Sequence, residues 1–331
     1  MRLPIFYRAP RARRFLARAA AATALLLGAG AGVEQLLEKQ DEALVQGDTY
    51  ADLNGRKVRY KYVKGPERSA TAVLLSGMDA TLEQWAPVQR ELASEIGTLT
   101  YDRSGMGFSD GPDGPDAAST QAQELLDLLE ALHVERPIVL VSYSSSSLMA
   151  RELTDLHRQR FDATLFVDPF MPEVLQIEPW WRVRKIGLST KWASIKQLGK
   201  SVVGYSRAHA RLFAKPEPRP AWTSRERAVM EVAPLRVSHR KACLDALFEW
   251  SDVLGPPLTA GRWADFPISV MSTAPEGPDR RLHQELVRSS SNGRLVQLAE
   301  GVSHVSLSRE NSGLVIENLR ELVKRVSAEQ R

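Results

Sequence analysis

What most constrains this chain is its rhythm. From about residue 50, short apolar and β-branched runs alternate with amphipathic stretches of helical spacing. Val58–Val63 reads as an early strand after the turn Asn54-Gly55. Ala72–Leu75, Leu99–Tyr101, Ile138–Val141, Thr164–Val167, Ile268–Met271 and Leu295–Leu298 read as further strands. Between them, Trp85–Ile96, Ser119–Leu132 and Leu148–Arg158 have the spacing of helices that bury one stripe, and Gly313–Val326 closes the chain as another. Parallel strands need long crossover connections, and a helix is the usual one. The alternation therefore predicts an α/β fold, a mostly parallel sheet flanked by helices.

The rhythm stops between Pro169 and Phe266. This segment has no β alternation and carries Trp180, Trp181, Trp192, Tyr205, Trp222 and Trp250 among arginines and lysines. It reads as an inserted helical cap whose aromatics either form its small core or line a pocket shared with the sheet domain. The expected organisation is a leader over 1–45, the first part of the core over 46–168, the cap over 169–265, and the second part of the core over 266–331.

Composition matters mainly for where the charge lies. The 331 residues carry a net charge of +4, but six arginines fall in the first 18 residues with no acid among them. Without those six, the other 313 residues stand at −2. The body offers no excess of cations for a phosphate backbone, so nucleic acid is not expected as a partner. The lone cysteine, Cys243, excludes an intramolecular disulfide and reads as packing.

After the arginines comes an uncharged run, Ala19 to Val33. A charged region followed by a short apolar one is the layout of a secretory signal, and Ala29-Gly30-Ala31 supplies a cleavage-like site. Fifteen residues rise only about 22 Å as a helix, short of the roughly 30 Å of a hydrocarbon core. Helix-like sequence nevertheless continues through Glu34–Ala43, which leaves an uncleaved signal anchor open. Arg13-Arg14-Phe15-Leu16 is similar to a twin-arginine signal but lacks the usual spacer residue. The expectation is a protein exported or membrane-anchored through its N-terminal segment. Its body would lie on the non-cytoplasmic side, because the arginines stay inside.

The densest local signal is Ile138-Val139-Leu140-Val141-Ser142-Tyr143-Ser144-Ser145-Ser146-Ser147-Leu148, a buried strand turning abruptly into a helix at a serine. So tight a turn needs small residues two places before and two places after the serine at its apex. Only Ser144 has them, in Ser142 and Ser146. Each of its serine neighbours would have Leu, Tyr or Met at one of those places. The segment resembles the nucleophile elbow G-x-S-x-G of the α/β-hydrolase family, with serine in both glycine positions. Leu74-Leu75-Ser76-Gly77-Met78-Asp79 resembles that family's oxyanion loop, with serine where histidine is common. Tyr101-Asp102-Arg103-Ser104-Gly105-Met106-Gly107-Phe108-Ser109 resembles its Y-D-x-x-G-x-G-x-S turn, which braces the floor of the site. Glu300-Gly301-Val302-Ser303-His304 resembles its late histidine segment, while His133, His157, His209, His239 and His283 read as surface or core residues.

The resemblance covers about 50–168 and 266–328. It implies an eight-stranded, mostly parallel sheet with a helical cap, and a serine hydrolase acting on an ester, thioester or amide. In it, Ser144 is the nucleophile, His304 the general base, and the backbone N–H groups of Met78 and Ser145 the oxyanion hole. The acid stays open between Asp168, at the end of a strand in Val167-Asp168-Pro169, and Glu276, in the segment after the next strand. Asp279 is a lesser choice. A serine at the elbow argues against dehalogenases and epoxide hydrolases, which attack through a carboxylate. No phosphate loop, metal-ligand cluster or dinucleotide fingerprint appears, so no cofactor is expected and the partner is a small acyl substrate. Oligomeric state is not legible. The alternatives are a cofactor-free acyltransferase or perhydrolase using the same triad, and a catalytically weak fold that binds a ligand at the membrane.

Overall fold

The computed structural model describes residues 27–112, 118–213, 219–252 and 258–329. The eight strands are β1 (Thr49–Leu53), β2 (Arg56–Val63), β3 (Thr71–Leu75), β4 (Gly97–Tyr101), β5 (Ile138–Tyr143), β6 (Ala163–Val167), β7 (Ile268–Ser272) and β8 (Gly293–Gln297). They form one sheet in the order β1-β2-β4-β3-β5-β6-β7-β8. The pairings β1–β2 and β2–β4 are antiparallel, and all the others are parallel.

Seven of these strands lie where the alternation places them. The eighth, β1, is an edge strand, in which only Ala51 and Leu53 turn fully inward. Asn54 and Gly55, both at positive φ (57° and 85°), close the β1–β2 hairpin with the backbone twist that a two-residue turn requires.

The central strands read as unbroken apolar runs because helices cover both faces. The helices of the sheet domain are α1 (27–41), α2 (Ala86–Leu92), α3 (Ala118–Ala131) and α4 (Ser147–Leu156) before the insertion. Those of the insertion are α5 (Val174–Ile177), α6 (Trp180–Val202), α7 (Tyr205–Phe213), α8 (Ser224–Val232) and α9 (Val237–Asp252). After it come α10 (Pro278–Arg288), α11 (His304–Leu307) and α12 (Ser312–Glu329). Val73, Leu75, Leu140, Phe166 and Val270 pack with Leu125 and Leu128 of α3, Leu153 of α4 and Leu286 of α10. Their strand neighbours Leu74, Val139, Val141, Leu165 and Met271 point the other way, onto Val88 and Leu92 of α2 and Leu319 and Leu322 of α12.

Residues 27–41 form a helix that packs on the cap. A Cβ at Gly30 would collide with the backbone carbonyl of Val203. Arg207 of α7 reaches Glu34 at 2.8 Å and Asp41 at 2.8 Å, with all three side chains at most 10% exposed. The Arg-rich segment and most of the apolar run, residues 1–26, lie outside the described residues. Among the described residues, no helix is long and apolar enough to cross a membrane.

Candidate active site

The parallel strands point their carboxyl ends the same way, and the loops leaving β3, β5, β6, β7 and β8 carry the polar residues singled out above. At the end of β5 the chain turns sharply. Ser144–Ser146 make a single 3-10 turn before α4 begins at Ser147. Ser144 sits at φ +57°, a left-handed conformation that costs a residue with a Cβ about 1–3 kcal/mol. Among the described residues, seven non-glycines have positive φ, and Asp79, Ser144 and Asp168 are three of them. Two candidate residues, Ser144 and Asp168, thus sit in left-handed backbone at the site.

The two serines in glycine places behave differently. The Ser146 hydroxyl accepts from the Tyr143 N–H at 2.9 Å and lies 3.0 Å from the carbonyl of Leu75, tying the turn to the neighbouring strand. The Cβ that glycine would lack is therefore accommodated, and its hydroxyl is used. Ser142 is fully buried, and its Oγ has no hydrogen-bond partner among the described residues.

His304 begins α11, and its Nδ1 lies 2.7 Å from Oδ2 of Asp168. Asp168 also accepts from the N–H of Thr273 at 2.8 Å and from its hydroxyl at 2.7 Å. The parallel β6–β7 register explains this, since Val167 pairs with Met271 and brings the two strand ends side by side. Burial alone would raise the Asp168 carboxyl, but His304 and the two Thr273 donors outweigh it and hold the carboxyl below the ordinary carboxylate value. Asp168 therefore stays ionised at neutral pH. Glu276 is exposed at the turn into α10, and Asp279 is exposed in the first turn of that helix, where it complements the helix dipole. The end of β7 supplies, in Thr273, two donors to the carboxylate at the end of β6.

Tyr143 was not singled out by sequence. Its ring stacks on His304 with centroids 4.7 Å apart, and its hydroxyl donates to the His304 carbonyl at 2.7 Å. Its position directly before Ser144 was the available signal.

The loop after β3 is held from several sides. The Gly77 N–H donates to Gln84 at 3.1 Å, and its carbonyl accepts from Arg103 at 2.9 Å. A Cβ on Gly77 would meet the Tyr143 ring at 2.9 Å and the Cβ of Ser144 at 3.5 Å, so only glycine lets this loop approach the elbow. Asp102 accepts from the Leu82 N–H at 2.7 Å and pairs with buried Arg59 at 3.0 Å, so it braces the floor. Asp79, just past Met78, takes Arg240 and Nε2 of His239 from α9, at 3.1 and 2.9 Å.

Asp79, His239 and Cys243 have the composition of a metal-ligand set, their ligand atoms lying within 4.8 Å of one another. Their chemistry argues otherwise. Nδ1 of His239 accepts the buried Gly107 N–H at 2.8 Å, so Nε2 carries the proton and donates to Asp79 rather than offering a lone pair. Burial works against a charge on His239, while Asp79 and Cys243 favour one. The short Gly107 contact favours the neutral ring, which alone can accept there. Arg240 already supplies the cation beside Asp79. The set is a polar clamp between cap and loop.

Ser144, His304 and Met78 line one cleft of about 360 Å³. The cap contributes Arg219, Met230 and Pro234, and the β8 side contributes Val305 and Arg309. Among the described residues no cap aromatic is one of its walls; the side chain of Trp250 lies outside them. Trp222 is buried, its indole N–H donating to the Glu83 carbonyl at 2.7 Å. Trp180, Trp181, Trp192 and Tyr205 are exposed, against the expectation of a cap core or pocket lining.

A model described as the alpha/beta hydrolase family matches residues 72–317. Similar solved structures include the enol-lactonase from Burkholderia xenovorans LB400, 20% identical over 83% of this chain and 100% of that one, with a TM-score of 0.57. A thermophilic esterase from Thermogutta terrifontis is 15% identical over 84% of this chain and 97% of that one, with a TM-score of 0.60. The epoxide hydrolase CorEH is 16% identical over 84% and 99%, also at 0.60. At these identities the likeness is one of fold. No curated protein matches the chain.

Proposed function

The chain belongs to the alpha/beta hydrolase family, and from that premise we propose that it is a serine hydrolase that cleaves an ester, thioester or amide through an acyl-enzyme. The observation that carries this reading is that strained Ser144 and His304 line one cleft, with Asp168 hydrogen-bonded behind the imidazole. Asp168 occupies Nδ1, so Nε2 is the nitrogen left to work on the nucleophile. Ser144 Oγ attacks the acyl carbonyl as Nε2 takes its proton. The carbonyl oxygen becomes an alkoxide facing the N–H groups of Met78 and Ser145. His304 returns the proton to the leaving oxygen, sulfur or nitrogen, and the acyl group remains on Ser144. Water, deprotonated by His304 in turn, releases the acid. Asp168 stabilises the imidazolium in both halves.

The cleft is modest in size, and its walls mix Met78, Met230, Pro234 and Val305 with Arg219 and Arg309. That suits small or moderately apolar acyl groups with a polar end. Among the proteins of similar fold, the B. xenovorans one is named an enol-lactonase and the T. terrifontis one an esterase. The arginines and apolar run of the N-terminus support export or membrane attachment of the body on the non-cytoplasmic side.

Hydrolysis of short-chain nitrophenyl esters tests the assignment. Ser144→Ala, His304→Ala and Asp168→Asn should each lower kcat/KM about a thousandfold or more, while Glu276→Gln and Asp279→Asn stay near wild type. A Glu276→Gln loss as large as that of Asp168→Asn would overturn the choice of acid.

A further inference from the structure

The cap carries its aromatic residues on the outside. On α6, Trp181, Leu188, Trp192 and Ile195 are 57, 50, 60 and 40% exposed. At 100° per residue they fall within an arc of about 60° on one side of the helix. Exposed Lys185 and Lys196 border that arc on one side, and exposed Arg184 borders it on the other. The helix also packs against α7 and α9, so this stripe is not the seam that holds it to the protein. Leu212 and Phe213 at the end of α7 are exposed as well, at 74 and 68%. Soluble surfaces rarely leave contiguous apolar patches of this kind uncovered.

Charge says what covers it. From residue 180 to residue 213 the chain has eight lysines and arginines and no aspartate or glutamate; Arg207 is buried against Glu34 and Asp41 and Arg182 pairs with Glu178, which leaves six for the surface. Tryptophan prefers the headgroup level of a bilayer, and lysine and arginine on the flanks of an apolar stripe meet anionic headgroups there. The route of the chain agrees. The segment with six arginines and an apolar run joins the described body at α1, where Gly30 lies against Val203 and Glu34 pairs with Arg207 of α7. The leader thus enters at the cap.

We propose that the outer face of α6 docks on the surface of an anionic phospholipid bilayer, with the Trp181–Ile195 stripe at headgroup depth. This surface is separate from the cleft and does not depend on the chemistry proposed there. It is also distinct from the leader, which would attach by its own sequence.

An environment-sensitive fluorophore tests it in the full-length protein, attached through Trp192→Cys; the native Cys243 is buried. Vesicles of phosphatidylcholine containing phosphatidylglycerol should shift the label's emission to the blue and increase it. Vesicles of phosphatidylcholine alone should not. High salt should reverse the shift, and Lys185→Glu with Lys196→Glu in the labelled protein should abolish it. The same label at exposed Gln123→Cys on α3 should stay water-like throughout. If the protein sediments with anionic vesicles while the label at 192 stays water-like, the leader alone binds and the proposal falls. It falls equally if the shift appears without vesicles as protein concentration rises, because a second copy would then be the occupant.

Discussion

At the scale of single residues, the elbow carries two serines with opposite consequences. Ser146 satisfies the buried Tyr143 N–H and reaches the Leu75 carbonyl, whereas the Ser142 hydroxyl is buried without a partner among the described residues. Ser146→Ala should therefore cost about 1–3 kcal/mol, the range for leaving a buried group unpaired. Ser142→Ala should be neutral or slightly stabilising, because it removes a desolvated hydroxyl. Chemical denaturation of the two variants compares them directly, and equal losses would contradict the assigned hydrogen bonds. Asp168 adds a dependence on pH. Burial raises its carboxyl, but His304 and Thr273 hold its folded pKa below the ordinary value, so ionised Asp168 favours the folded state. That contribution is complete above the unfolded value of about 4 and is lost as pH falls through the lower folded value. The difference in Tm between wild type and Asp168→Asn should be widest near neutrality and shrink in acid below about pH 4. A gap that widened in acid would have the wrong sign.

At the scale of elements, helices outside the sheet are fastened by buried charge. Arg207 of α7 holds Glu34 and Asp41 of α1, and removing it would leave two carboxylates with little solvent. Breaking such a pair costs about 3–5 kcal/mol, more than its net worth, because uncompensated charge remains behind. Arg207→Ala should lower Tm and expose α1 to limited proteolysis while leaving the cleft residues in place. An unchanged cleavage pattern would show that α1 is held by other contacts. The clamp of Asp79 with His239 and Arg240 fastens α9 to the loop that carries Met78, so cap and candidate oxyanion donor are mechanically joined.

Across the whole molecule, what was legible in the sequence depended on whether its signal was local. Strands β3 to β7 stand out because helices bury both faces of each, writing continuous apolar runs, while β1 at the edge buries only alternate residues and was invisible. Ser144 could be chosen from its neighbours because the size of side chains around a tight turn is a local matter. The partner of His304 could not, since it depends on the register of β6 against β7 and on Thr273, 105 residues from Asp168. The cap aromatics show the same limit, because composition states that they are apolar and not which way they face. The central claim is that one serine among the cluster is the nucleophile, and covalent labelling tests it most directly. After reaction of the full-length protein with a fluorophosphonate, peptide mapping should find a single adduct on Ser144, lost in Ser144→Ala and retained in Glu276→Gln. An unlabelled wild type, or an adduct that persists in Ser144→Ala, would contradict the assignment.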